Sequence, residues 1–517
     1  MKLTSYLAGE WVEGNGAGRA LVNPLTGEEI ARADAGGLDL SRAMDHARKQ
    51  GGAALAGMSF AARGAILKAI ADVLISHRAD YEEIARRNSG NTAVDAAIDI
   101  DGGTGTLKYY ARLGQGLGDA TRLVEAGQDQ LARDPIFFAR HFWTTRPGVA
   151  VQVNAFNFPS WGMWEKVAQA TLAGVPSLAK PATATALLSW QMLRDVIQAG
   201  VTPPGMLSLL CGGGEALVDA LGPMDSLAFT GSAATARGFR QALASRNLPP
   251  RLTVEADSVN ATILGPDAGP GTALFDLAVR EAVKALSVKA GQLCTNIRRI
   301  LVPKAFESEF AAALGAKVEA LAVGDPASES TRVGPLINLA QRDEALANLR
   351  RLSAETQIVA EAALPDFGPN AAFVAPTLLR CDDPASARAV HAVEVFGPCA
   401  TILPYDGVAQ AVALGRAGEG SLALSLFSRD PAVQQAALAG LGPWHGRLLL
   451  VDEDVGKAHT GHAIVMPQCV HGGPGRAGGG EELGGLRGLR LHMQRSAVQA
   501  SPAALESLAA QAAEAAV

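Results

Sequence analysis

The first 130 residues carry apolar positions at helical spacing. In "DLSRAMDHARKQGGAAL" and in "SFAARGAILKAIADVLISHRADYEEIARRNS", apolar residues recur three and four positions apart, which predicts amphipathic helices. Ser59 stands just before the second of these segments and is of a type that caps helix N-termini. The following stretch, "FFARHFWTTRPGVAVQVNAF", is rich in aromatic and β-branched residues and predicts strands.

From about residue 151 to residue 265 the pattern alternates between strand and helix. The predicted strands are "PSLAKPAT", "MLSLLCG", "SLAFTGS" and "RLTVEAD", and the predicted helices are "TALLSWQMLRDVIQAG", "GEALVDALG" and "AATARGFRQALAS". A second alternation runs from "DLAVREAVKALSVKAGQLC" through "RRILVPK" to "LLLVDED". Such alternation predicts an α/β fold with parallel sheets covered by helices, and two such domains with a site between them.

The last stretch, "SPAALESLAAQAAEAAV", predicts a C-terminal helix. Ser501 would be its N-cap and Pro502 its first residue, since proline is well tolerated at that position. We expect this helix either to add to a subunit contact or to pack on its own subunit.

Composition and charge exclude several classes of function. The chain has 517 residues, 48% of them hydrophobic, and a net charge of −6, which gives no electrostatic case for binding nucleic acid. No run of eighteen apolar residues suggests a membrane span, and the N-terminus lacks a signal-peptide layout. Five scattered cysteines indicate reduced thiols and a cytoplasmic protein. His459 and His462 have ligand-like spacing but no matching pair elsewhere, so we expect no metal.

Four short stretches contain candidate residues for chemistry. Cys294 lies between small polar residues in "KAGQLCTNIRR", which suits a bend that presents a side chain rather than a core cysteine. Asn157 stands between two phenylalanines before a proline, so it is either a turn residue or a donor to an oxyanion. Glu255 ends a predicted strand, where it is either solvated or a general base. Gly231 and Ser232 open a helix that could meet a phosphate, or that merely follows an ordinary turn.

Taken together and in this order, these pieces resemble the NAD(P)-dependent aldehyde dehydrogenase superfamily over almost the whole chain. The matching pieces are "FNFP", "KPAT", "FTGS", "VEADSVN", "GQLCT" and "EVFGP". The resemblance implies that Cys294 is the nucleophile, which forms a thiohemiacetal and, after hydride transfer to the nicotinamide, a thioester. It further implies that Asn157 and the Cys294 N–H hold the oxyanion and that Glu255 activates the hydrolytic water. Lys166 and Glu482 match positions that relay protons in the family.

The resemblance also assigns residues to the cofactor. It implies that Lys180 and Glu394 hold the riboses and that Phe396 and Phe156 lie near the nicotinamide end. Gly231 and Ser232 would meet the pyrophosphate. Ala236 falls where a second glycine is usual, with Gly238 two residues later, so the exact phosphate contact is left open. Thr183 stands where NAD-preferring members carry a glutamate, which predicts a preference for NADP over NAD. The alternative is that Thr183 caps the following helix and that cofactor choice is set elsewhere.

The family fold implies three parts and an oligomer. The cofactor domain is expected at 1–127 plus 148–262, the catalytic domain at 263–479, and an oligomerisation flap with the C-terminal helix at 128–147 plus 480–517. "FFARHFW" is read as an edge strand, and because edge strands need a partner, we expect a homodimer or a dimer of dimers.

Two stretches narrow the substrate. "EADSVN" replaces the commoner "ELGGKN", and "VHGGPGRAGGGEELGGLRGLRLHMQRSAVQ" is distinctive. Both resemble the semialdehyde dehydrogenases of CoA-linked aromatic-acid breakdown, which implies a CoA-linked aldehyde as substrate. One such group is the dehydrogenase half of the oxepin-CoA hydrolase fusion of phenylacetate degradation. This chain stops at Val517 without a hydratase, so a stand-alone enzyme of aerobic benzoyl-CoA degradation is expected.

Two other functions stay open at this point. A CoA-acylating dehydrogenase would pass the thioester to CoA and would not need the water-activating Glu255. A non-catalytic scaffold on the same fold would be expected to lack Cys294, Glu255 or Asn157, and all three are present.

Overall fold

A computed structural model describes residues 1–247 and 249–515 of the chain. The strands are β1 (Lys2–Leu3), β2 (Ser5–Leu7), β3 (Glu10–Val12), β4 (Arg19–Val22), β5 (Glu29–Ala33), β6 (Arg122–Glu125), β7 (Asp129–Gln130), β8 (Phe138–Thr145), β9 (Ala150–Val153), β10 (Ser177–Lys180), β11 (Leu207–Leu209), β12 (Ser226–Thr230), β13 (Arg251–Glu255), β14 (Ala261–Leu264), β15 (Arg299–Pro303), β16 (Gln357–Glu361), β17 (Thr377–Arg380), β18 (Cys399–Tyr405), β19 (Ser421–Phe427), β20 (His445–Val451), β21 (Val470–Gly472), β22 (Glu481–Leu483), β23 (Met493–Ala500) and β24 (Ala512–Ala515). The α-helices are α1 (Leu40–His46), α2 (Gly52–Ala56), α3 (Phe60–Ser76), α4 (Arg78–Ser89), α5 (Ala93–Leu117), α6 (Trp161–Ala173), α7 (Ala186–Gln198), α8 (Leu217–Ala220), α9 (Ala233–Ala244), α10 (Ala273–Ser287), α11 (Glu307–Glu319), α12 (Leu339–Leu352), α13 (Ala389–Ala392), α14 (Gly407–Arg416), α15 (Pro431–Leu441), α16 (Leu486–Leu489) and α17 (Pro502–Ala509).

Two seven-stranded sheets form the frame. The first has the order β13-β12-β9-β10-β11-β2-β3 and is parallel except for β2 and β3 at one edge. The second has the order β16-β17-β18-β15-β14-β19-β20 and is parallel except for β16. The α/β fold class predicted from the alternating pattern is therefore confirmed. The carboxyl end of a parallel sheet is where such folds place ligands.

The predicted helical patterns of the first part are also found. Ser59 accepts a hydrogen bond from the Ala62 N–H at 3.2 Å and caps α3, as predicted. The long segment is divided at His77 into α3 and α4. The first 33 residues were not anticipated as strands. They form five short strands, of which β2 and β3 extend the edge of the first sheet.

The domain boundaries stay predictions. The strand β14 (Ala261–Leu264) belongs to the second sheet, so the predicted boundary after residue 262 falls inside that strand.

The sheet that contains "FFARHFW" contradicts the prediction that this segment is an edge strand. Its order is β23-β8-β6-β24, with β7 also paired to β8, so β8 has partners on both sides within its own chain. The prediction that β8 is an edge strand is wrong, because β23 comes from far along the chain and periodicity carries no sign of that pairing. Strand β23 is the edge instead.

The C-terminal segment was predicted as one helix, and that prediction holds only in part. Pro502 is the first residue of α17, but Ser501 makes no side-chain capping bond and the helix ends at Ala509. Residues Ala512–Ala515 then form β24, which pairs in parallel with β6. The segment is rich in alanine and has high helix propensity, and pairing with an open sheet edge overrides that preference. The end of the predicted helix, at 516–517, lies outside the described residues.

Among the described residues, no helix is both long and apolar enough to cross a bilayer. All five cysteines are free thiols, three of them buried.

Candidate active site

The loop that carries Cys294 is held in a strained backbone conformation. Lys289 and Ala290 both have φ of 49°, and Gly291 has φ of 72°. Left-handed non-glycine residues cost about 1–3 kcal/mol each and persist only where neighbours enforce them. Here the Lys289 N–H donates to Asp95 of α5 at 2.7 Å. A side chain at Gly291 would collide with the Gly397 carbonyl, so glycine is required there.

Asn260, from the "VEADSVN" stretch, fixes the other end of the loop. Its side-chain nitrogen donates to the carbonyls of Cys294 at 2.8 Å and of Asn296 at 3.0 Å. Its side-chain oxygen accepts from the Ala423 N–H at 2.9 Å. The amide is fully buried and well satisfied, so it ties the cysteine loop to β19. Cys294 itself is half-buried.

A cavity opens in front of the Cys294 side chain. It is lined by residues from the first sheet, from α6, from strand β21 and from the loops between them: Ala155, Asn157, Phe158, Trp161, Gly162, Glu165, Lys166, Thr230, Glu255, Cys294, Thr295, Ala463, Val465 and His471. The structure thus brings together four residues that the sequence singled out for chemistry, namely Cys294, Asn157, Glu255 and Lys166. Mostly apolar walls with a few convergent polar groups are typical of a binding site.

Asn157 follows β9 and points one amide hydrogen into the cysteine loop. Its Nδ2 donates to the Gln292 carbonyl at 3.0 Å, and the residue is buried. An amide nitrogen carries two hydrogens, so the second is free for a ligand in the cavity. Asn157 is therefore anchored and still able to donate.

Glu255 ends β13 and forms a close group with Cys294 and His471. Glu255 Oε2 lies 2.9 Å from His471 Nε2, and both side chains are buried. The reactive atoms of Glu255, Cys294 and His471 all lie within 4.8 Å of one another. Burial and the nearby Glu255 carboxylate raise the pKa of the Cys294 thiol well above its ordinary value. Burial also opposes ionisation of Glu255, but His471 and Lys166 outweigh it and hold the Glu255 pKa at about 2.

A second buried group of charges lies beside the first. Lys166 Nζ lies 3.0 Å from Glu482 Oε2 and 3.2 Å from Glu165 Oε1. Burial works against the charged lysine, but the two carboxylates outweigh it and raise the Lys166 pKa. Burial raises the pKa of Glu165 to about 7 despite the adjacent Lys166. A carboxyl group that titrates near neutral pH can take and return protons there.

The predicted cofactor residues are half-buried or exposed. The rings of Phe156 and Phe396 meet edge to face with centroids 5.5 Å apart. Glu394 accepts from the Ser258 N–H at 3.1 Å and lies 3.4 Å from an Arg298 guanidinium nitrogen. Burial raises the pKa of Glu394 to about 7 against the opposing effect of Arg298.

Lys180 and Thr183 flank the end of β10. Lys180 Nζ contacts the carbonyl of Pro181 at 3.3 Å, and burial lowers its pKa. The Thr183 hydroxyl donates to the Gly212 carbonyl at 3.1 Å and makes no bond that caps the short helix it begins. Its oxygen remains as an acceptor for a ligand.

Gly231 and Ser232 lie between β12 and α9, as the pattern predicted. Ser232 is exposed, and its hydroxyl caps α9 by accepting from the Thr235 N–H at 3.2 Å. The Asp257 carboxylate accepts the Ala233 N–H at 2.9 Å. Ala236 is fully buried on the core side of α9. Its departure from the usual glycine therefore alters the packing face of the helix rather than its exposed start.

The Cys294, His471 and Glu255 side chains also offer zinc-type ligands. They are the group in the described part of the chain whose spacing could hold a metal ion. His459 and His462, by contrast, face different partners: His462 Nδ1 contacts the Ser425 hydroxyl at 2.8 Å, and His459 Nδ1 accepts from the Gly461 N–H.

Comparison with known proteins assigns the chain to a family. A family model described as the aldehyde dehydrogenase family matches residues 11–446. The chain belongs to the aldehyde dehydrogenase family. It is an oxidoreductase that acts on aldehydes, and the family uses NAD(P).

Individual relatives agree with this assignment. The chain is 48% identical over 482 residues to a 3,4-dehydroadipyl-CoA semialdehyde dehydrogenase from Aromatoleum evansii, covering 92% of this chain and 93% of the relative. It is 28% identical over 438 residues to a betaine aldehyde dehydrogenase from Rhizobium etli, covering 83% and 85%. A solved betaine aldehyde dehydrogenase from Staphylococcus aureus in complex with NAD+ shares the fold, with a TM-score of 0.82 and 24% identity over 96% of each chain.

Two residues that line the cavity of this aldehyde dehydrogenase were not predicted from the sequence. His471 lies within the distinctive stretch "VHGGPGRAGGGEELGG", and Glu165 directly precedes Lys166. For His471, the available signal was a histidine in a glycine-rich stretch. Glu165 sits in a helix whose face toward the site cannot be read from the local pattern.

Proposed function

We propose that this aldehyde dehydrogenase oxidises an aldehyde carried on coenzyme A, 3,4-dehydroadipyl-CoA semialdehyde, to the carboxylic acid with NADP. The observation that carries the chemistry is the meeting of Cys294, Asn157 and Glu255 around one cavity. The support for the substrate is the 48% identity to the relative of that name over nearly its whole length. The proposed setting is aromatic-acid degradation.

In this proposal Cys294 attacks the aldehyde carbon as the thiolate. Glu255 is within reach of the thiol and is proposed to accept its proton as the sulfur attacks. The free hydrogen of the Asn157 amide and the Cys294 N–H stabilise the resulting oxyanion. Bound NAD(P) would supply the acceptor for the hydride that leaves the substrate carbon.

Hydrolysis of the Cys294 thioester needs a base and a route for the proton. Glu255 takes the proton of the attacking water. Lys166 and Glu482, 3.0 Å apart, are proposed to carry protons between the buried site and solvent. A second cavity connects them with Thr253, Arg251 and His492. The presence of Glu255 at this distance from Cys294 favours transfer to water over transfer to a second CoA.

The chemical groups of the predicted cofactor residues suit a dinucleotide. A cation at Lys180, an exposed helix start at Ser232 and a half-buried carboxylate at Glu394 supply partners for phosphate and ribose groups. Phe156 and Phe396 would pack near the nicotinamide end, and Gly231 would let the backbone approach the pyrophosphate.

NADP is proposed because Thr183 brings no negative charge to the adenosine ribose. A glutamate there would repel a 2′-phosphate, whereas a hydroxyl does not. Lys180 adds a cation nearby, although the exposed Glu215 partly offsets it. The Thr183 hydrogen is donated to Gly212, so its contribution is the missing repulsion rather than a new donated bond.

The assembly is proposed to be a homodimer or a dimer of dimers. Strand β23 pairs with β8 on one side and is the outer strand of its sheet. Uncovered strand edges favour pairing with another chain. Sedimentation measurements at several concentrations test this directly, and a monomer at all of them would contradict it.

The function is tested by comparing kcat/KM for the CoA-linked semialdehyde and for hexanal, each with NADP and NAD. Remote binding of the CoA part should help position the aldehyde, so hexanal should react far less efficiently. Equal values for the two aldehydes would contradict the substrate proposal. Product analysis that finds a new acyl-CoA instead of the free acid would contradict the hydrolytic route.

A further inference from the structure

A glycine-rich hairpin delivers His471 to the catalytic carboxylate. Strands β21 and β22 pair so that His471 lies opposite Glu482. The Gly480 N–H donates to the Val254 carbonyl at 3.0 Å, and the Ala256 N–H donates to the Ala477 carbonyl at 2.9 Å. The hairpin is thus tied to the chain on both sides of Glu255.

The glycines of this hairpin have a steric reason. A side chain at Gly478 or Gly480 would collide with the Val254 carbonyl, and Gly478 also has φ of +109°. The spacing "HGGPGRAGGGEE" is therefore what allows His471 and Glu482 to approach Glu255 from one hairpin.

The contact itself is close and buried. His471 Nε2 lies 2.9 Å from Glu255 Oε2, and the side chains are 8% and 5% exposed. The other Glu255 oxygen, Oε1, is buried and has no hydrogen-bond partner among the described residues. His471 is therefore the main polar contact of the proposed base.

The charges around His471 favour an imidazolium. Glu255 on β13, Glu165 on α6 and Glu482 on β22 face it, together with the cation Lys166 and the Cys294 thiol. Burial lowers the pKa of His471, but these carboxylates outweigh that and raise it. A carboxylate held by such a cation is stable as an anion but weak as a base.

We propose that His471 is a positioning residue that holds the Glu255 carboxylate in place through this buried contact and releases it for the hydrolytic step. The inference rests on the proposed function, in which Glu255 is the deacylation base. On release, the oxygen of a water bonds to the thioester carbon, the bond to the Cys294 sulfur breaks, and the water proton goes to Glu255. Without its cation, the released carboxylate in a buried site is a stronger base.

The test compares His471→Gln with His471→Lys, which keeps a positive charge, and with wild type. We expect the acidic limb of the kcat profile to move to higher pH by about one to three units in His471→Gln, since a nearby opposite charge lowers a carboxyl pKa by that much. His471→Lys should restore the wild-type limb at least in part. His445→Gln removes an equally buried histidine that contacts the Leu441 carbonyl, and serves as the matched control.

A second readout needs no turnover. The rate of Cys294 alkylation by iodoacetamide is measured against pH, without aldehyde or cofactor and with a chelator present. The pH dependence of this rate should also shift in His471→Gln and should not shift in His445→Gln. In Glu255→Gln enzyme, adding His471→Gln should move neither readout much further, because the two residues act through one contact.

Unchanged pH profiles and alkylation rates in His471→Gln would overturn the inference, and so would full additivity with Glu255→Gln. If His471→Gln does not fold, His471→Asn replaces it under the same criteria. A Glu255→Gln enzyme that deacylates at the wild-type rate would instead refute the proposed function, so the two failures are distinguishable.

Discussion

The proposed reaction side and the proposed cofactor side of the candidate active site are built differently. On the reaction side, Cys294, Glu255, His471, Lys166 and Glu482 are half-buried or buried, and the charged groups contact one another at about hydrogen-bond distance. On the cofactor side, Lys180, Thr183 and Ser232 are half-buried or exposed, and their polar groups contact only nearby backbone or the start of their own helix. The reaction side is preorganised by the protein, whereas the cofactor side offers groups that a ligand completes.

This difference predicts where substitutions act. A change on the reaction side removes a group whose partners stay buried, so it should alter chemistry and stability together. A change on the cofactor side should alter affinity and selectivity with little effect on folding.

The largest effect is expected from Cys294→Ala. Loss of the covalent route should reduce turnover below about 1% of wild type while cofactor binding is kept. Steady-state rates and a direct cofactor titration measure the two properties. Cys469→Ala removes an exposed thiol outside the cavity and is the matched control. Retained turnover in Cys294→Ala would refute its assignment as the nucleophile.

Asn157→Ala should lower kcat about 10²- to 10³-fold, the usual cost of losing one oxyanion donor. KM should change much less, because the amide acts on the charge that develops during reaction. If KM rose while kcat stayed constant, Asn157 would be a substrate-binding residue instead.

Lys166→Met should destabilise the fold. It leaves Glu165 and Glu482 buried without their cation, and breaking a buried ion pair costs about 3–5 kcal/mol of unfolding free energy. Denaturant unfolding measures this, and the double variant Lys166→Met/Glu482→Gln should recover part of the loss. A Lys166→Met protein as stable as wild type would show that the charges of this group are not coupled.

The smallest expected change is on the cofactor side. Thr183→Glu should reduce the preference for NADP over NAD by about ten- to a hundredfold, with unfolding free energy unchanged. The ratio of kcat/KM values for the two cofactors reports it, and Glu215→Gln tests the other carboxylate that acts on Lys180. A wild-type preference for NAD, or no response to Thr183→Glu, would remove Thr183 as the selecting residue.

Much of this architecture follows from local pattern. The strand and helix alternation predicted both sheets, and the motif residues Cys294, Asn157 and Glu255 lie on loops or strand ends that converge on one cavity. Each of these signals is contained within a few neighbouring residues, which is why it can be read from the chain.

What could not be read depends on distant partners. His471 gains its importance only from contact with Glu255, and β8 is covered by β23, which follows it by hundreds of positions in the chain. The end of α17 likewise depends on the open edge of β6. Helix propensity and strand periodicity carry no information about such pairings.

The most direct test of the central claim is the mass of the Glu255→Gln enzyme after mixing with the CoA-linked semialdehyde and NADP. If Cys294 is the nucleophile and Glu255 the deacylation base, the protein should gain the acyl mass on the peptide containing Cys294 within one rapid turnover and release it slowly. An unmodified enzyme, or an adduct on another residue, would contradict the account.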